Sequence, residues 1–142
     1  NGLLDRVKRG AVLRNLKRLG LDVAMLQETH LLGKRCGFLW RMDIDRVFHA
    51  GFTRGSRGVA ILLRRSFPFT TIGSKTDPQG RFVAVWGLIE EVPHNFVSVY
   101  IPPQLHAPTL NDLGEIILGL HQGVTLIGGD WNAMLDRGMD FS

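Results

Sequence analysis

Apolar positions near the start of the chain repeat with the spacing of an α-helix. Four of them fall on one helical face, and most basic side chains fall outside that face. These four are Val12, Leu13, Leu16 and Leu19. Gly20 is well suited to end such a helix. The pattern predicts an amphipathic helix over residues 6–19, and the apolar run at 21–26 predicts a short buried strand that ends in polar residues.

The middle of the chain alternates short apolar runs with turn-forming residues. Residues 31–45 have no clean period and predict a loop with a helical turn. Turn residues then separate five strand-like runs about ten residues apart, which predicts an antiparallel meander. The five runs are 46–50, 58–63, 69–73, 82–90 and 96–101, and one of the predicted turns spans 93–95.

The last third of the chain predicts one more helix and one more strand. Pro102 and Pro103 interrupt the preceding strand, and residues 108–120 then have helical periodicity. The residues expected to face inward are Leu110, Leu113, Ile117 and Leu120. A final buried strand is predicted at 124–128. The order of helix, strand, several strands, helix and strand predicts an α+β fold without internal repeats.

Composition fits a globular protein or a piece of one. Of the 142 residues, 44% are hydrophobic and 21% are charged, and no apolar run has the roughly 18 residues of a membrane span. A single cysteine, Cys36, favours a reducing, intracellular compartment. The net charge is +4, and the first twenty residues hold six basic side chains against Asp5 alone. This distribution suits either a polyanionic partner such as nucleic acid or a solvated helix face.

Three of the predicted strands end in polar side chains that could share one site. These ends carry Glu28 within Gln27–His30, Tyr100, and Asp130 with Asn132. Oxygen ligands without a Cys/His cluster favour magnesium or manganese over zinc. Glu28 suits metal binding, Asp130 could activate a water, and Asn132 could orient it. Each residue also has an ordinary structural explanation: a solvated glutamate, an Asp-x-Asn turn and a packed tyrosine. Spacing alone therefore supports only a candidate hydrolase.

Several short motifs, taken in order, resemble one known family. Leu26–His30 resembles its "QETH" motif, Tyr100–Pro102 its "Y-A-P", and Gly129–Asn132 its "GDWN". Further similar segments are Asn1–Leu3 ("N-G-L"), Gly58–Leu62 ("GVAIL") and Gly80–Val83 ("GRY-apolar"). The chain thereby resembles, over its whole length, the endonuclease domain of long-interspersed-element (non-LTR) retrotransposons. That domain belongs to the DNase I-like exonuclease–endonuclease–phosphatase superfamily, which includes the more distant apurinic endonucleases.

The resemblance implies a fold and a site. The implied fold is a DNase I-like sandwich of two β-sheets flanked by helices, of which residues 1–142 would form a partial domain, the amino-terminal half to two-thirds. Glu28 would bind Mg²⁺ (or Mn²⁺), Tyr100 would lie near the scissile phosphate, and Asp130 would activate the water. Asn132 would position that aspartate and the phosphate. The resemblance also places His30 and Asn1 in support of the site. Independently of the resemblance, the basic pair Arg54 and Arg57 is a candidate DNA contact.

The implied reaction is hydrolysis of a DNA phosphodiester, which nicks one strand and leaves a 3′ hydroxyl to prime reverse transcription. The implied partners are DNA and a reverse transcriptase domain of the same polyprotein, with no membrane, and the implied location is the nucleus. A phosphoinositide phosphatase or a sphingomyelinase is a less similar member of the superfamily.

Four departures from the family pattern bear on activity. The family's leading asparagine would lie two residues before Asn1, and Pro103 stands where the family has asparagine after "Y-A-P". The family's distal aspartate and its terminal Ser-Asp-His motif would lie beyond Ser142. We therefore expect the isolated chain to be impaired in catalysis and to leave sheet surface uncovered. The alternative reading is a non-catalytic, decayed remnant or a DNA-binding fragment.

Overall fold

The computed structural model describes residues 2–41, 43–53, 55–120 and 122–133. Two α-helices lie in these ranges, α1 (Arg6–Leu19) and α2 (His106–Gly119). The strands are β1 (Val23–Gln27), β2 (Ile44–Ala50), β3 (Val59–Arg64), β4 (Phe69–Thr76), β5 (Phe82–Ile89), β6 (Val92–Tyr100) and β7 (Val124–Asp130). Short 3₁₀ helices span Gly2–Leu4, Gly33–Leu39 and Pro103–Leu105.

The strands form two separate sheets. The first has the order β1-β3-β2 and is antiparallel throughout. The second has the order β4-β5-β6-β7, in which β4, β5 and β6 form an antiparallel meander. β7 is parallel to β6 because α2 carries the chain back to the same end of the sheet.

Alternation along the two central strands produces four layers. In β3, Val59, Ile61 and Leu63 pack between the sheets, whereas Ala60 and Leu62 face α1. In β5, alternate residues likewise pack between the sheets or against α2. Both strands are covered on two faces, which explains why each is a continuous apolar run. The α+β sandwich of two sheets flanked by helices that the sequence predicted is confirmed.

Helix α1 begins and ends where its sequence predicts. The Asp5 carboxylate accepts a hydrogen bond from the Lys8 amide at 2.9 Å and caps the first turn. Gly20 takes the left-handed conformation (φ 64°) that ends the helix. Leu13 is buried against the first sheet. The expectation for Leu19 was wrong, because this side chain at the end of the helix is 56% exposed.

Other sequence expectations need correction. The five middle strands do not form one meander, because β2 and β3 belong to the first sheet and β4 to β6 to the second. The turn predicted at 93–95 lies instead at Glu90 and Glu91, whose φ values of 49° and 66° make a tight two-residue hairpin turn. Leu110 is 39% exposed rather than inward, in a helix that begins at His106.

Strand β7 extends to Asp130, two residues beyond its predicted end, and it forms one edge of the second sheet. The prediction that this strand is buried was wrong, because Val124, Leu126 and Ile127 are 37–51% exposed on an edge strand that the described residues leave uncovered. Within the same part of the chain, neither helix has the length and apolarity needed to cross a membrane.

Candidate active site at the ends of strands β1, β6 and β7

The polar ends of three strands meet at one end of the sandwich. Gln27 ends β1 in the first sheet, and Tyr100 and Asp130 end β6 and β7 in the second. Tyr100 and Asp130 are direct partners in the parallel β6–β7 register. The Ile101 amide donates to the Asp130 carbonyl at 2.9 Å, so the two chain segments remain paired just beyond the strands.

A buried hydrogen-bonded bridge joins the two sheets beneath this end. The Gln27 side-chain amide donates to the Ser98 hydroxyl at 3.1 Å, and that hydroxyl donates to the Leu26 carbonyl at 3.3 Å. Ser98 is fully buried. Because Glu28 follows Gln27 and Tyr100 lies two residues after Ser98 on the same strand face, the bridge fixes the spacing of these two side chains.

Tyr100 lies near both carboxylates of the site. Burial raises the pKa of Tyr100, and so do its polar interaction with Glu28 and the negative charges of Glu28 and Asp130. The positive charge of Arg57 acts in the opposite direction. With its pKa above the ordinary value, the hydroxyl keeps its proton at neutral pH and can donate a hydrogen bond.

Asn132 orients Asp130 through the backbone. The Asn132 amide N–H donates to Asp130 Oδ1 at 3.1 Å, and the Asn132 side-chain amide donates to the Ile101 carbonyl at 2.9 Å. The first contact is the Asp-x-Asn turn that the sequence allowed as an ordinary alternative. In this position the turn also fixes which way the Asp130 carboxylate points.

The backbone around the site adopts a sparsely populated conformation. Glu28, His30, Arg57 and Asn132 have φ values between 43° and 57°. The only other non-glycine residues with positive φ in the described chain are the two at the Glu90–Glu91 turn. These four residues are polar and are not branched at Cβ. Their positive φ values persist where surrounding contacts hold them, and such conformations concentrate at functional sites.

Thr29 and His49 form a buried pair under the Glu28 segment. Thr29 is fully buried, and its hydroxyl lies 2.9 Å from His49 Nε2. Burial lowers the pKa of His49 to about 4, so the ring is neutral at physiological pH. The backbone amides of Thr29 and His30 donate to the carbonyls of Gly58 and Arg57 at 3.0 and 2.9 Å. These contacts hold the Glu28 segment against the start of β3.

Arg57 forms one wall of the site. Its guanidinium stacks on the Phe52 ring at 4.3 Å from the ring centroid, and Nη1 donates to the Gln79 carbonyl at 3.3 Å. This arrangement holds a positive charge near Tyr100. Arg54, the other arginine predicted to contact DNA, lies outside the described residues.

His30 lies on the other side of Glu28. It lines a cavity of about 300 Å³ together with Glu28, Lys8 and Gly2. The buried His30 Nδ1 has no hydrogen-bond partner among the described residues. Gly2 approaches so closely that a Cβ there would lie 2.5 Å from the His30 ring. The neighbouring Asn1, predicted to support the site, lies outside the described residues.

The donor set at the site fits a hard divalent cation. Glu28 and Asp130 are exposed carboxylates, and neither forms an ion pair with a described residue. In the described ranges no three His, Cys, Asp or Glu side chains cluster as a metal cage. Mg²⁺ does not need such a cage, since it commonly takes one or two carboxylates and fills its remaining positions with water and substrate phosphate.

Pro103 departs from the family pattern at the rim of the site. It begins the 3₁₀ helix Pro103–Leu105 and is exposed, directly after the buried Pro102. Proline has neither a backbone N–H nor a side-chain amide, so this position offers no donor to a phosphate.

Sequence reasoning missed the supporting residues. Ser98 and His49 are polar residues at single positions in otherwise apolar strands, FVSVY and VFHA. A buried polar residue in such a run is itself a signal, because its burial is unfavourable without a partner. Arg81 carried no such signal, yet it is buried and forms ion pairs with Asp77 and Asp112, both at 2.7 Å.

The sequence and the fold together define a class of protein. The sequence model of the Endonuclease/Exonuclease/phosphatase family matches residues 1–139. The chain belongs to this family.

Three solved structures of other proteins superpose on this chain. The Xenopus laevis APE2 catalytic domain superposes with a TM-score of 0.69 at 18% identity, covering 90% of this chain and 55% of that one. D. rerio TDP2 complexed with a single-strand DNA product gives 0.67 at 18% identity, covering 93% and 55%. The endonuclease domain of TRAS1, a telomere-specific non-LTR retrotransposon, gives 0.68 at 18% identity, covering 95% and 58%.

At these identities the similarity establishes the fold. The chain spans 55–58% of the length of these three proteins. The DNase I-like fold and the superfamily that the sequence predicted are confirmed.

Proposed function

We propose that the chain is part of a metal-dependent phosphodiester hydrolase that nicks DNA. The observation that carries the proposal is that Glu28 directly follows β1 of the first sheet, Tyr100 and Asp130 end the paired strands β6 and β7 of the second, and the Gln27–Ser98 hydrogen bond joins the two sheets at this end. Arg57 lies near Tyr100 and would supply positive charge for a phosphate. Carboxylates that can bind a metal ion or accept a proton, a neutral hydrogen-bond donor and a cation are the groups that phosphodiester hydrolysis uses.

The residues divide the reaction between them. Asp130 accepts a proton from the attacking water, whose oxygen forms a bond to phosphorus as the bond from phosphorus to the 3′ oxygen breaks. The departing oxygen takes up a proton and becomes a 3′ hydroxyl, leaving a 5′ phosphate. Asn132 holds the Asp130 carboxylate in position at 3.1 Å. The protonated Tyr100 hydroxyl and the Arg57 guanidinium bind phosphate oxygens.

A magnesium or manganese ion would be held by Glu28, with Asp130 close by. When bound, the ion supplies charge that neutralises the phosphate and stabilises the leaving oxygen.

The motifs point further, to an endonuclease of a non-LTR retrotransposon. The support is the ordered set of motifs that includes QETH at residues 27–30 and GDWN at residues 129–132, with a TRAS1-like fold. In this proposal the 3′ hydroxyl at the nick primes reverse transcription by a reverse transcriptase domain of the same polyprotein. Its target DNA would place the reaction in the nucleus.

A second candidate is a DNA-binding chain without catalysis. Pro103 favours it, because this residue removes a hydrogen-bond donor from the rim of the site. An assay of plasmid nicking distinguishes the two functions, because binding without hydrolysis leaves supercoiled DNA intact.

A plasmid-nicking assay in Mg²⁺ tests the proposal. Because the isolated chain is expected to be impaired, we expect slow conversion of supercoiled to nicked circles that stops with chelator and falls to background in Glu28→Gln and in Asp130→Asn, since such groups act as a unit. Glu115→Gln changes an exposed glutamate on α2 and is the matched control, which should keep the activity of the unmodified chain. DNA binding with no nicking above the level of Glu28→Gln would select the non-catalytic function instead.

A further inference from the structure

A second basic surface lies away from the candidate active site, on the outer side of the first sheet. Helix α1 and the segment Gly33–Arg41 pack side by side there, and Leu13 and Leu39 are buried in their shared core. Between them is a groove of about 330 Å³, within the range of small-ligand pockets, roughly 300–1,000 Å³. We call it the α1 groove. Its lining residues are Arg6, Arg9, Gly10, Leu13, Arg14, Gly37, Phe38, Trp40 and Arg41.

All the charged side chains that line the α1 groove are positive. Residues 6–20 and 33–41 contain nine of the 17 lysines and arginines of the chain and no aspartate or glutamate. In the described part of the groove, Arg6, Arg14 and Arg41 form no ion pair. Three guanidinium groups without ion pairs around one recess favour the binding of a polyanion, because an anion relieves their mutual repulsion.

Two aromatic rings line the same recess. Phe38 and Trp40 are 49% and 50% exposed, although side chains of this size are usually buried. Arg9 stacks on Phe38 at 4.4 Å from the ring centroid, while its Nη1 donates to the Leu3 carbonyl at 2.8 Å. Arg9 is therefore a positioning residue that holds the Phe38 ring in place. Trp40 has no ring partner among the described residues, so its face is available.

We infer that the α1 groove binds single-stranded nucleic acid, with a base stacked on Trp40 and phosphates on Arg14 and Arg41. Guanidinium groups that follow the backbone and rings that stack on bases are the two components of single-strand binding sites. A duplex keeps its base faces inside its own stack and cannot present one to Trp40. A membrane surface cannot enter a recess between two helical segments. The inference does not depend on hydrolysis at the candidate active site.

The groove is distinct from the site at Glu28. Helix α1 separates them, because Lys8 and Val12 line the cavity beside Glu28, whereas Arg6, Arg14 and their neighbours line the groove on the other flank. A strand bound in the α1 groove would therefore leave the candidate active site open.

Fluorescence anisotropy with excess chelator tests the inference without cleavage. The probes are oligothymidylate and oligouridylate of roughly 10 nucleotides, within the site sizes of single-strand binding proteins. A duplex and vesicles of anionic lipid are the comparison probes. We expect the single strands to bind at least 10-fold more tightly than the duplex at equal salt. The affinities of the DNA and RNA strands then show whether the α1 groove prefers deoxyribose or ribose. Binding of duplex or vesicles that is as tight as single-strand binding, and that Arg14→Gln with Arg41→Gln weakens equally, would overturn the inference.

Paired variants separate the groove from general charge. Arg14→Gln with Arg41→Gln should weaken binding about 10-fold. The slope of the logarithm of the binding constant against the logarithm of the salt concentration should become shallower by roughly 1.4, at about 0.7 for each of two phosphate contacts. Lys17→Gln with Lys75→Gln removes the same charge from exposed positions outside the groove and should change binding less than 2-fold. Equal losses in the two pairs would mean that only net charge matters.

Trp40 gives a spectroscopic readout. Stacking of a base should quench tryptophan fluorescence in the wild type, and Trp40→Phe should retain binding but lose the quenching. Trp40→Leu keeps apolar bulk without a ring and should weaken binding about 10-fold. Far-UV circular dichroism confirms that each variant is folded. Wild-type affinity in a folded Trp40→Leu would exclude the stacking contact and with it the inference.

Discussion

The Gln27 side-chain amide and the Ser98 hydroxyl meet across 3.1 Å between the two sheets. The serine is fully buried, and its hydroxyl donates a hydrogen bond to the Leu26 carbonyl. This contact is the polar connection beneath the candidate active site, and it sets the separation between the Glu28 and Tyr100 strands. Its energetic importance follows from the low polarity around it, where an unpaired donor is costly.

Ser98→Ala should lower the free energy of unfolding by about 1–2 kcal/mol, because it leaves the Gln27 amide without its partner. Urea denaturation followed by circular dichroism measures the change. The same substitution at Ser74, which is exposed on β4, is the matched control and should change stability by less than about 0.5 kcal/mol. A loss no larger than that of the control would mean that the bridge is not stabilising.

The buried His49 should make stability depend on pH. Burial lowers its pKa from 6.5 to about 4, so folding favours the neutral ring. This contribution is present above pH 6.5 and is lost as pH falls toward 4, by on the order of 3 kcal/mol. Urea midpoints measured between pH 7 and pH 4 should show a shallower decline in His49→Gln than in the wild type. His94→Gln controls for the loss of one histidine, and an unchanged slope in His49→Gln would contradict the prediction.

Two ion pairs of similar geometry should differ greatly in their effect on stability. Arg81 and Asp77 are each 5% exposed and lie 2.7 Å apart, whereas Arg64 and Asp22 are 35% and 50% exposed at 2.6 Å. Arg81→Gln leaves the Asp77 carboxylate buried and unpaired, and we expect a loss of about 3–5 kcal/mol. Arg64→Gln should cost less than about 1 kcal/mol.

Chemical denaturation of the two arginine variants side by side measures both losses. A mild effect at Arg81 would mean that water reaches Asp77 in solution. Arg81→Lys should recover only part of the stability, because an ammonium cannot reproduce the planar contacts to Asp77 and Asp112.

The hairpin between β5 and β6 should be easy to stabilise. Glu90 and Glu91 both have positive φ, 49° and 66°, and they place two negative charges side by side. Asn-Gly is the preferred pair for this turn, so Glu90→Asn with Glu91→Gly should raise stability by about 0.5–2 kcal/mol. Thermal unfolding measures the gain. Glu90→Ala with Glu91→Ala removes the charges without favouring positive φ, and an equal gain there would assign the effect to charge alone.

Local patterns in the sequence predicted much of the fold. Apolar spacing predicted the helix over residues 6–19, because a helix buries every third or fourth residue. Gly20 predicted its end, because a helix commonly ends at a residue with positive φ. The continuous apolar runs of β3 and β5 likewise marked strands that are covered on both faces. The turn at Glu90 and Glu91 was missed, since glutamate does not favour positive φ and the adjacent Pro93 suggested a break.

The sequence by itself determined where most helices and strands lie, and its ordered motifs singled out Glu28, Tyr100, Asp130 and Asn132. Only the tertiary structure decided that β2 and β3 pair in one sheet and β4 to β6 in another, that β7 is an exposed edge, and that Trp40 lies beside α1. The physical reason is that side-chain periodicity reports which face of an element is covered, whereas strand pairing and side-chain convergence depend on contacts between distant segments. Those contacts are selected by the packing of the whole core.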